Sequence, residues 1–137
     1  HIPDFFKIYG DMSQLEICLR NLLNNAIKFS NRGGVITIDA LEDNGDKVVR
    51  VIDSGVGMSE DQVSRLMSMK GDFSTVGTMN EKGTGLGVLI VREFMENQNG
   101  TLKLLSRKGE GSIFSLVFHG KPKLAETGKA SNANQAD

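Results

Sequence analysis

Apolar residues recur at helical spacing between positions 15 and 29, and a polar stripe runs along the other side of the same segment. In a helix, residues four and seven positions apart lie on one face. Asn21, Asn25 and Lys28 therefore form a line of two amides and one ammonium group. Amide oxygen is a suitable ligand for Mg²⁺ and an ammonium group binds phosphate, although the solvated face of an ordinary amphipathic helix is polar as well.

The rest of the hydrophobic pattern predicts a small α/β domain. Helices are expected over residues 13–29, 59–69 and 88–96, and capping boxes beginning at Ser13 and Ser59 open the first two. Apolar runs predict strands over residues 5–9, 35–40, 48–52, 101–106 and 113–118, the second and third joined as a hairpin. This interleaving indicates an α/β sandwich with a mixed, mostly antiparallel sheet and about three helices on one face.

Asp53 ends the apolar strand and begins a glycine motif, Asp53-Ser54-Gly55-Val56-Gly57-Met58. A carboxylate at a strand end can accept a hydrogen bond from the exocyclic amine of a planar base, and glycines let the backbone approach such a ligand. The Asp-Ser-Gly sequence is also common in ordinary turns. The motif is weak when it is taken alone.

A second glycine motif, Gly83-Thr84-Gly85-Leu86-Gly87, leads directly into the third predicted helix. The backbone N–H groups at a helix start lack partners within the helix and favour anions such as phosphate. The spacing fits neither the P-loop, which ends in Gly-Lys-Ser/Thr, nor the dinucleotide fingerprint. The motif therefore predicts a phosphate cradle outside both of the common nucleotide folds.

In this order, the asparagine helix and the two glycine motifs resemble the ATP-binding catalytic domain of sensor histidine kinases, a branch of the GHKL ATPases. The resemblance covers residues 11–119 and includes a Phe-bearing segment at residues 71–75 and a closing hairpin at residues 109–114. It implies a Bergerat-type sandwich, ATP and Mg²⁺ as ligands, and a protein-histidine kinase. The γ-phosphoryl group would pass to a histidine on a separate dimerisation domain that is absent from this chain.

The resemblance also implies roles for residues at matching positions. Asn25 takes the place of the Mg²⁺ ligand, Asn21 lies toward the phosphates, and Lys28 reaches them, so these three are the predicted catalytic residues. Phe29 stands where an aromatic residue often lies beside the nucleotide, and Asp53 matches the acceptor of the adenine amino group. The further predicted nucleotide-binding residues are Gly55, Val56, Gly57, Met58, Gly83, Thr84, Gly85, Leu86 and Gly87. For Val56 and Met58, ordinary core packing explains the residue type equally well.

Asn21 separates this chain from relatives that hydrolyse ATP with water. In the gyrase and MutL types, a Glu at this position acts as the general base, whereas an amide cannot accept a proton at neutral pH. We expect slow hydrolysis, which disfavours the alternatives of an ATP hydrolase or a GHKL-type serine kinase. A further alternative is a non-catalytic docking module, but Asn25, Asp53 and the glycines are all present.

The two histidines, His1 and His119, do not lie in the helical context of a phosphoacceptor. The resemblance implies that dimerisation and phosphoacceptor helices lie outside this chain, so we expect the fragment to be a monomer that works with those helices and, through them, with a response regulator. The chain carries sixteen Lys and Arg against seventeen Asp and Glu, which predicts neither nucleic-acid binding nor direct membrane contact. A cytoplasmic location and a reduced, buried Cys18 are expected.

The chain divides into one domain, residues 1–120, and a polar, non-periodic tail, residues 121–137, which is expected to be disordered. Within the domain, residues 70–84 are rich in Gly, Ser and Thr. A loop of this length in a small domain is uncommon and usually functional or disordered. We expect it to form a mobile ATP lid, from which Lys70 or Lys82 can reach the phosphates.

Overall fold

A computed structural model describes residues 1–68 and 85–120. Its helices are α1 (Met12–Phe29), α2 (Glu60–Ser68) and α3 (Leu86–Asn97), and its strands are β1 (Ile36–Asp43), β2 (Asp46–Asp53), β3 (Thr101–Arg107) and β4 (Gly111–Phe118). The predicted lid, the predicted tail and the last residue of the second predicted helix, Met69, lie outside the described residues.

The four described strands form one antiparallel sheet in the order β1-β2-β4-β3. A two-residue loop, Asn44-Gly45, joins β1 to β2, and its φ values of 52° and 88° are both in the left-handed region. Turns of this kind match the right-handed twist of the flanking strands and favour the Asn-Gly sequence. The predicted hairpin and the predicted α/β sandwich are confirmed.

The helices cover one face of this sheet and enclose a single core. On α1, Cys18, Leu22 and Ala26 are buried at helical spacing. They pack with alternate residues of the strands and with α3, namely Val49, Val51, Phe114, Leu116, Val88, Val91 and Met95. Burial raises the pKa of the Cys18 thiol to about 11, as expected of a packed and unreactive thiol.

The predicted strand over residues 5–9 is wrong. Residues 3–6 instead form a turn in which the Phe6 N–H donates to the Pro3 carbonyl over 3.3 Å, and Phe5 has a φ of 61°. A residue in the left-handed region interrupts an extended strand. The edge of β1 is contacted by His1 instead, through two backbone hydrogen bonds of 3.0 and 3.2 Å.

The two predicted capping boxes have different outcomes. At α1 the cap is Asp11, whose carboxylate accepts from the Gln14 N–H over 3.0 Å, so the prediction of Ser13 as the cap is wrong. A carboxylate two residues earlier is an effective cap because it also faces the positive end of the helix dipole. At α2 the box is confirmed, since Ser59 and Gln62 exchange side-chain to backbone hydrogen bonds of 2.8 and 3.2 Å.

Within the parts of the chain that the structure describes, no helix combines the length and the apolar character needed to cross a bilayer.

Substituting Leu22 tests the core on the helix that carries the asparagine stripe. Leu22 is fully buried, so Leu22→Ala should lower the free energy of unfolding by about 2–5 kcal/mol through lost transfer energy and a cavity. Ile27→Ala is the matched control, because Ile27 on the same helix is 65% exposed and its truncation should cost less than about 0.5 kcal/mol. Urea unfolding measures both, and equal losses would contradict the packing described.

The ion pair between Asp39 and Arg50 predicts that the stability of the protein depends on pH. Arg50 binds the Asp39 carboxylate with two hydrogen bonds, and this holds the pKa of Asp39 below its ordinary value. Because the folded state lowers the pKa, the stabilisation is present above about pH 4 and is lost as the pH falls through the folded value. Asp39→Asn should therefore lose less stability than the wild type between pH 7 and pH 3, as measured by urea unfolding. Asp43→Asn, an exposed position on the same strand, should behave like the wild type.

Candidate functional site

The asparagine stripe of α1 lies against the first turn of α3. The Asn21 side chain donates from Nδ2 to the Ile17 carbonyl over 2.9 Å. Its Oδ1 lies 2.9 Å from the point that a Cβ on Gly87 would occupy. Because such a contact is too close for a real Cβ, glycine at position 87 lets the helices approach here. The structure thus brings the predicted asparagine motif and the second glycine motif together.

The other residues of the stripe follow toward the end of α1. Asn25 is half-buried and Lys28 is exposed. The Lys28 Nζ lies 5.8 Å from the centre of the Phe29 ring, within the range of a cation–π contact. Phe29 is the last residue of α1 and is 39% exposed. An ammonium group and an accessible aromatic ring therefore stand side by side at this end of the helix.

The start of α3 is capped by a glycine. Gly85 is the N-cap and has φ 81° and ψ 2°, a left-handed conformation that favours glycine. A glycine cap has no side chain that could accept from the first-turn N–H groups, and the helix dipole adds partial positive charge at this end. Leu86, the first helical residue, is half-buried. The preceding motif residues, Gly83 and Thr84, lie outside the described residues.

Asp53 lies at the end of β2 and is a buried charged residue. The residue is 7% exposed, and its Oδ1 accepts from the Gly55 N–H over 2.9 Å. A carboxylate has about four acceptor positions, so one bond to the backbone leaves capacity for a donor from a ligand. Asp53 is also the register partner of Ser112 on β4.

The loop after Asp53, residues 54–58, is tied to the fold on two sides. On one side, the Val56 N–H donates to the Phe29 carbonyl over 3.2 Å. On the other side, the Gly109 N–H donates to the Val56 carbonyl over 2.7 Å, and the Met58 N–H donates to the Ser106 hydroxyl over 2.8 Å. We call residues 54–58 the base loop, because the sequence predicts that it contacts the nucleotide base.

The glycines around the base loop are needed for contact between backbones. A Cβ on Gly55 would lie 2.1 Å from the Phe29 carbonyl oxygen, and one on Gly57 would lie 2.0 Å from that of Arg107. Gly57 also has a φ of 67°. The sequence predicts that these glycines let the backbone approach a ligand. The structure shows that they let the base loop approach the backbone of the protein itself.

Val56 and Met58 differ in their surroundings. Val56 is 51% exposed, so core packing does not account for it. Met58 is half-buried and packs against the hydrophobic core. Sequence reasoning missed Ser106, because no local motif marks it and only the folded structure brings its hydroxyl to the Met58 N–H of the base loop.

Comparisons with known proteins bear on the family of this chain. The sequence profile of the family described as histidine kinase-, DNA gyrase B-, and HSP90-like ATPase matches residues 10–122. The sensor-like histidine kinase SenX3 of Mycolicibacterium smegmatis is 32% identical over 114 residues, which are 83% of this chain and 30% of that protein. The chain therefore spans about a third of the length of this relative.

Solved structures show the same fold. The nucleotide-free catalytic domain of histidine kinase ThkA has a TM-score of 0.67 and 26% identity, over 84% of this chain and 73% of that one. Full-length ShkA, solved in complex with AMPPNP, has a TM-score of 0.65 and 27% identity, over 81% of this chain and 22% of that one.

Substituting Gly57 tests the backbone contact of the base loop. The left-handed conformation costs an alanine about 1–2 kcal/mol. Gly57→Ala should destabilise the protein by more than this, because its Cβ would also collide with the Arg107 carbonyl oxygen. Gly109→Ala is the matched control, since Gly109 has a φ of 84° but nothing within 4 Å of its Cβ position. Urea unfolding should show the larger loss for Gly57→Ala, and equal losses would mean that the close approach costs nothing.

Proposed function

We propose that this chain, which belongs to the histidine kinase-, DNA gyrase B-, and HSP90-like ATPase family, is the catalytic ATP-binding domain of a two-component sensor histidine kinase. It would donate the γ-phosphoryl group of ATP to a histidine on a separate dimerisation domain. The observation that supports this most directly is the meeting of the α1 stripe with the start of α3 at Asn21 and Gly87. That contact joins two motifs that lie far apart in the sequence.

Asp53 is the proposed acceptor for the adenine amino group. Its burial excludes water from the hydrogen bond, and its contact with the Gly55 N–H fixes one carboxylate oxygen. A base that carries a carbonyl oxygen in place of the amino group would set two acceptors against each other. The site therefore favours adenine over guanine. Phe29 and Val56, both accessible, are the proposed apolar neighbours of the base.

The phosphates are proposed to lie between α1 and the start of α3. The dipole of α3 and the Lys28 ammonium group supply positive charge there. Asn25 offers an amide oxygen, a donor type that suits Mg²⁺, which usually takes only one or two protein ligands and completes its shell with phosphate oxygens and water. When it is bound, this ion would neutralise charge on the phosphates. Full-length ShkA, to which this chain is similar in fold, was solved in complex with AMPPNP, and this supports nucleotide binding by the present chain.

The proposed chemistry requires no general base from this domain. A neutral imidazole nitrogen is already a competent nucleophile, so the residues of the site act by positioning the phosphoryl group and compensating its charge. Asn21 cannot activate water, and its Nδ2 is already bonded to the Ile17 carbonyl. Phosphoryl transfer to histidine is therefore favoured over hydrolysis.

The proposal extends to the assembly. Residues 1–120 would form a monomeric domain that docks on dimerisation and phosphoacceptor helices, and a response regulator would receive the phosphoryl group from them. Similarity to proteins named as sensor kinases supports this arrangement. A cytoplasmic location follows from the need for ATP.

The ATP site is tested by calorimetric titration of ATP and ADP with and without Mg²⁺. Asp53→Asn replaces an acceptor by a group that presents a donor, so it should weaken binding of both nucleotides by at least about tenfold. Asp43→Asn, at the opposite end of the sheet, is the control and should bind like the wild type. Mg²⁺ should strengthen binding of ATP more than binding of ADP.

Other outcomes would redirect the proposal. Absence of wild-type binding at millimolar nucleotide would indicate a docking module without catalysis. Rapid hydrolysis of ATP by the wild type would indicate an ATPase, since Asn21 would then not prevent activation of water.

A further inference from the structure

Three polar side chains cross the end of the sheet on its helix-covered face. The register pairs Asp53 of β2 with Ser112 of β4, and Ser112 with Ser106 of β3. The next positions inward on the same face are all apolar, namely Val51, Phe114 and Leu104. Because buried polar groups require partners, a polar row at this place indicates a specific set of hydrogen bonds.

The Ser106 hydroxyl is the centre of that set. It lies 2.8 Å from the Met58 nitrogen, 3.0 Å from the Gly111 carbonyl oxygen and 2.8 Å from the Ser112 hydroxyl. A hydroxyl group has one proton and two acceptor positions. When Ser106 donates to Gly111, it accepts from Met58 and from Ser112, and its capacity is then filled. The proton of Ser112 consequently points toward Ser106.

We propose that Ser106 is a positioning residue for recognition of the nucleotide base, acting through Met58 and Ser112. The inference rests on the proposed function and names a residue that the sequence motifs do not include. Ser106 holds the far end of the base loop, whereas both tethers at Val56 are bonds between backbones. It also leaves Ser112, the register partner of Asp53, as an acceptor, so that two acceptors are available where an amino group of the base requires one.

The hairpin does not depend on this hydroxyl. The β3–β4 ladder pairs every position from Thr101 to Arg107, and Ser106 is only half-buried. A Ser106→Ala protein should therefore fold. It should lose the tether at Met58 and the orientation of Ser112, so base recognition should change more than stability.

The test compares Ser106→Ala, Ser106→Thr and Ser115→Ala. Ser115 lies on β4 on the opposite face of the sheet and serves as the matched serine control. ADP and GDP are titrated by calorimetry, amide exchange is followed at Met58, and urea unfolding confirms that each variant is folded.

Ser106→Ala should weaken ADP binding roughly tenfold, reduce the preference for ADP over GDP, and accelerate exchange at Met58. Ser106→Thr retains the hydroxyl and should restore binding to within about threefold of the wild type. Ser115→Ala should match the wild type.

The outcomes separate this inference from the proposed function. If the wild type binds ADP and folded Ser106→Ala binds it equally well, the role of Ser106 is overturned and the ATP site stands. If Ser106→Thr is as weak as Ser106→Ala, the hydroxyl is not responsible and the inference is also overturned. If the wild type binds no adenine nucleotide, the proposed function fails first and this inference falls with it.

Discussion

Direct contact between backbones is the constraint on which the site depends. The base loop lies against the end of α1 on one side and the β3–β4 turn on the other, so closely that Gly55 and Gly57 have no room for a Cβ. Gly111 makes the same kind of contact, because its Cβ would lie 2.0 Å from the Asp53 carbonyl oxygen. These contacts place a buried carboxylate at a defined point between sheet and helices. A loop held only by side chains would leave that carboxylate free to move.

A second close approach, between α1 and α3, relates the base end of the site to its phosphate end. Asn21 occupies the space above Gly87, so the amide stripe and the start of α3 share one surface. The positive end of the α3 dipole therefore lies next to this stripe. The proposed recognition of a base at Asp53 and of phosphates at α3 would thus depend on the packing of two helices over one sheet.

The sequence predicted the elements where local pattern decides structure. The extent of α1, the Asn44-Gly45 hairpin and the Ser59 cap follow from helical periodicity, turn chemistry and hydrogen bonding over three residues. It failed where two local signals compete. Residues 5–9 carry apolar side chains suited to a strand, but the turn beginning at Pro3 and the left-handed Phe5 override them. Asp11 likewise replaces Ser13 as the cap, because a charged acceptor there also gains from the helix dipole.

The sequence alone shows which chemical groups are present and in what order, and the resemblance of three motifs predicts that these groups form a nucleotide site. It also shows, without any coordinates, that residue 21 is an amide and not an acid, which disfavours hydrolysis of ATP by water because an amide cannot accept a proton at neutral pH. Two features are visible only in the folded structure. Gly55 and Gly57 allow close contact between backbones, and the Ser106 hydroxyl accepts a hydrogen bond from the base loop. The physical reason is that folding brings together residues 48 positions apart in the sequence, such as Met58 and Ser106, and a local pattern carries no information about such a contact.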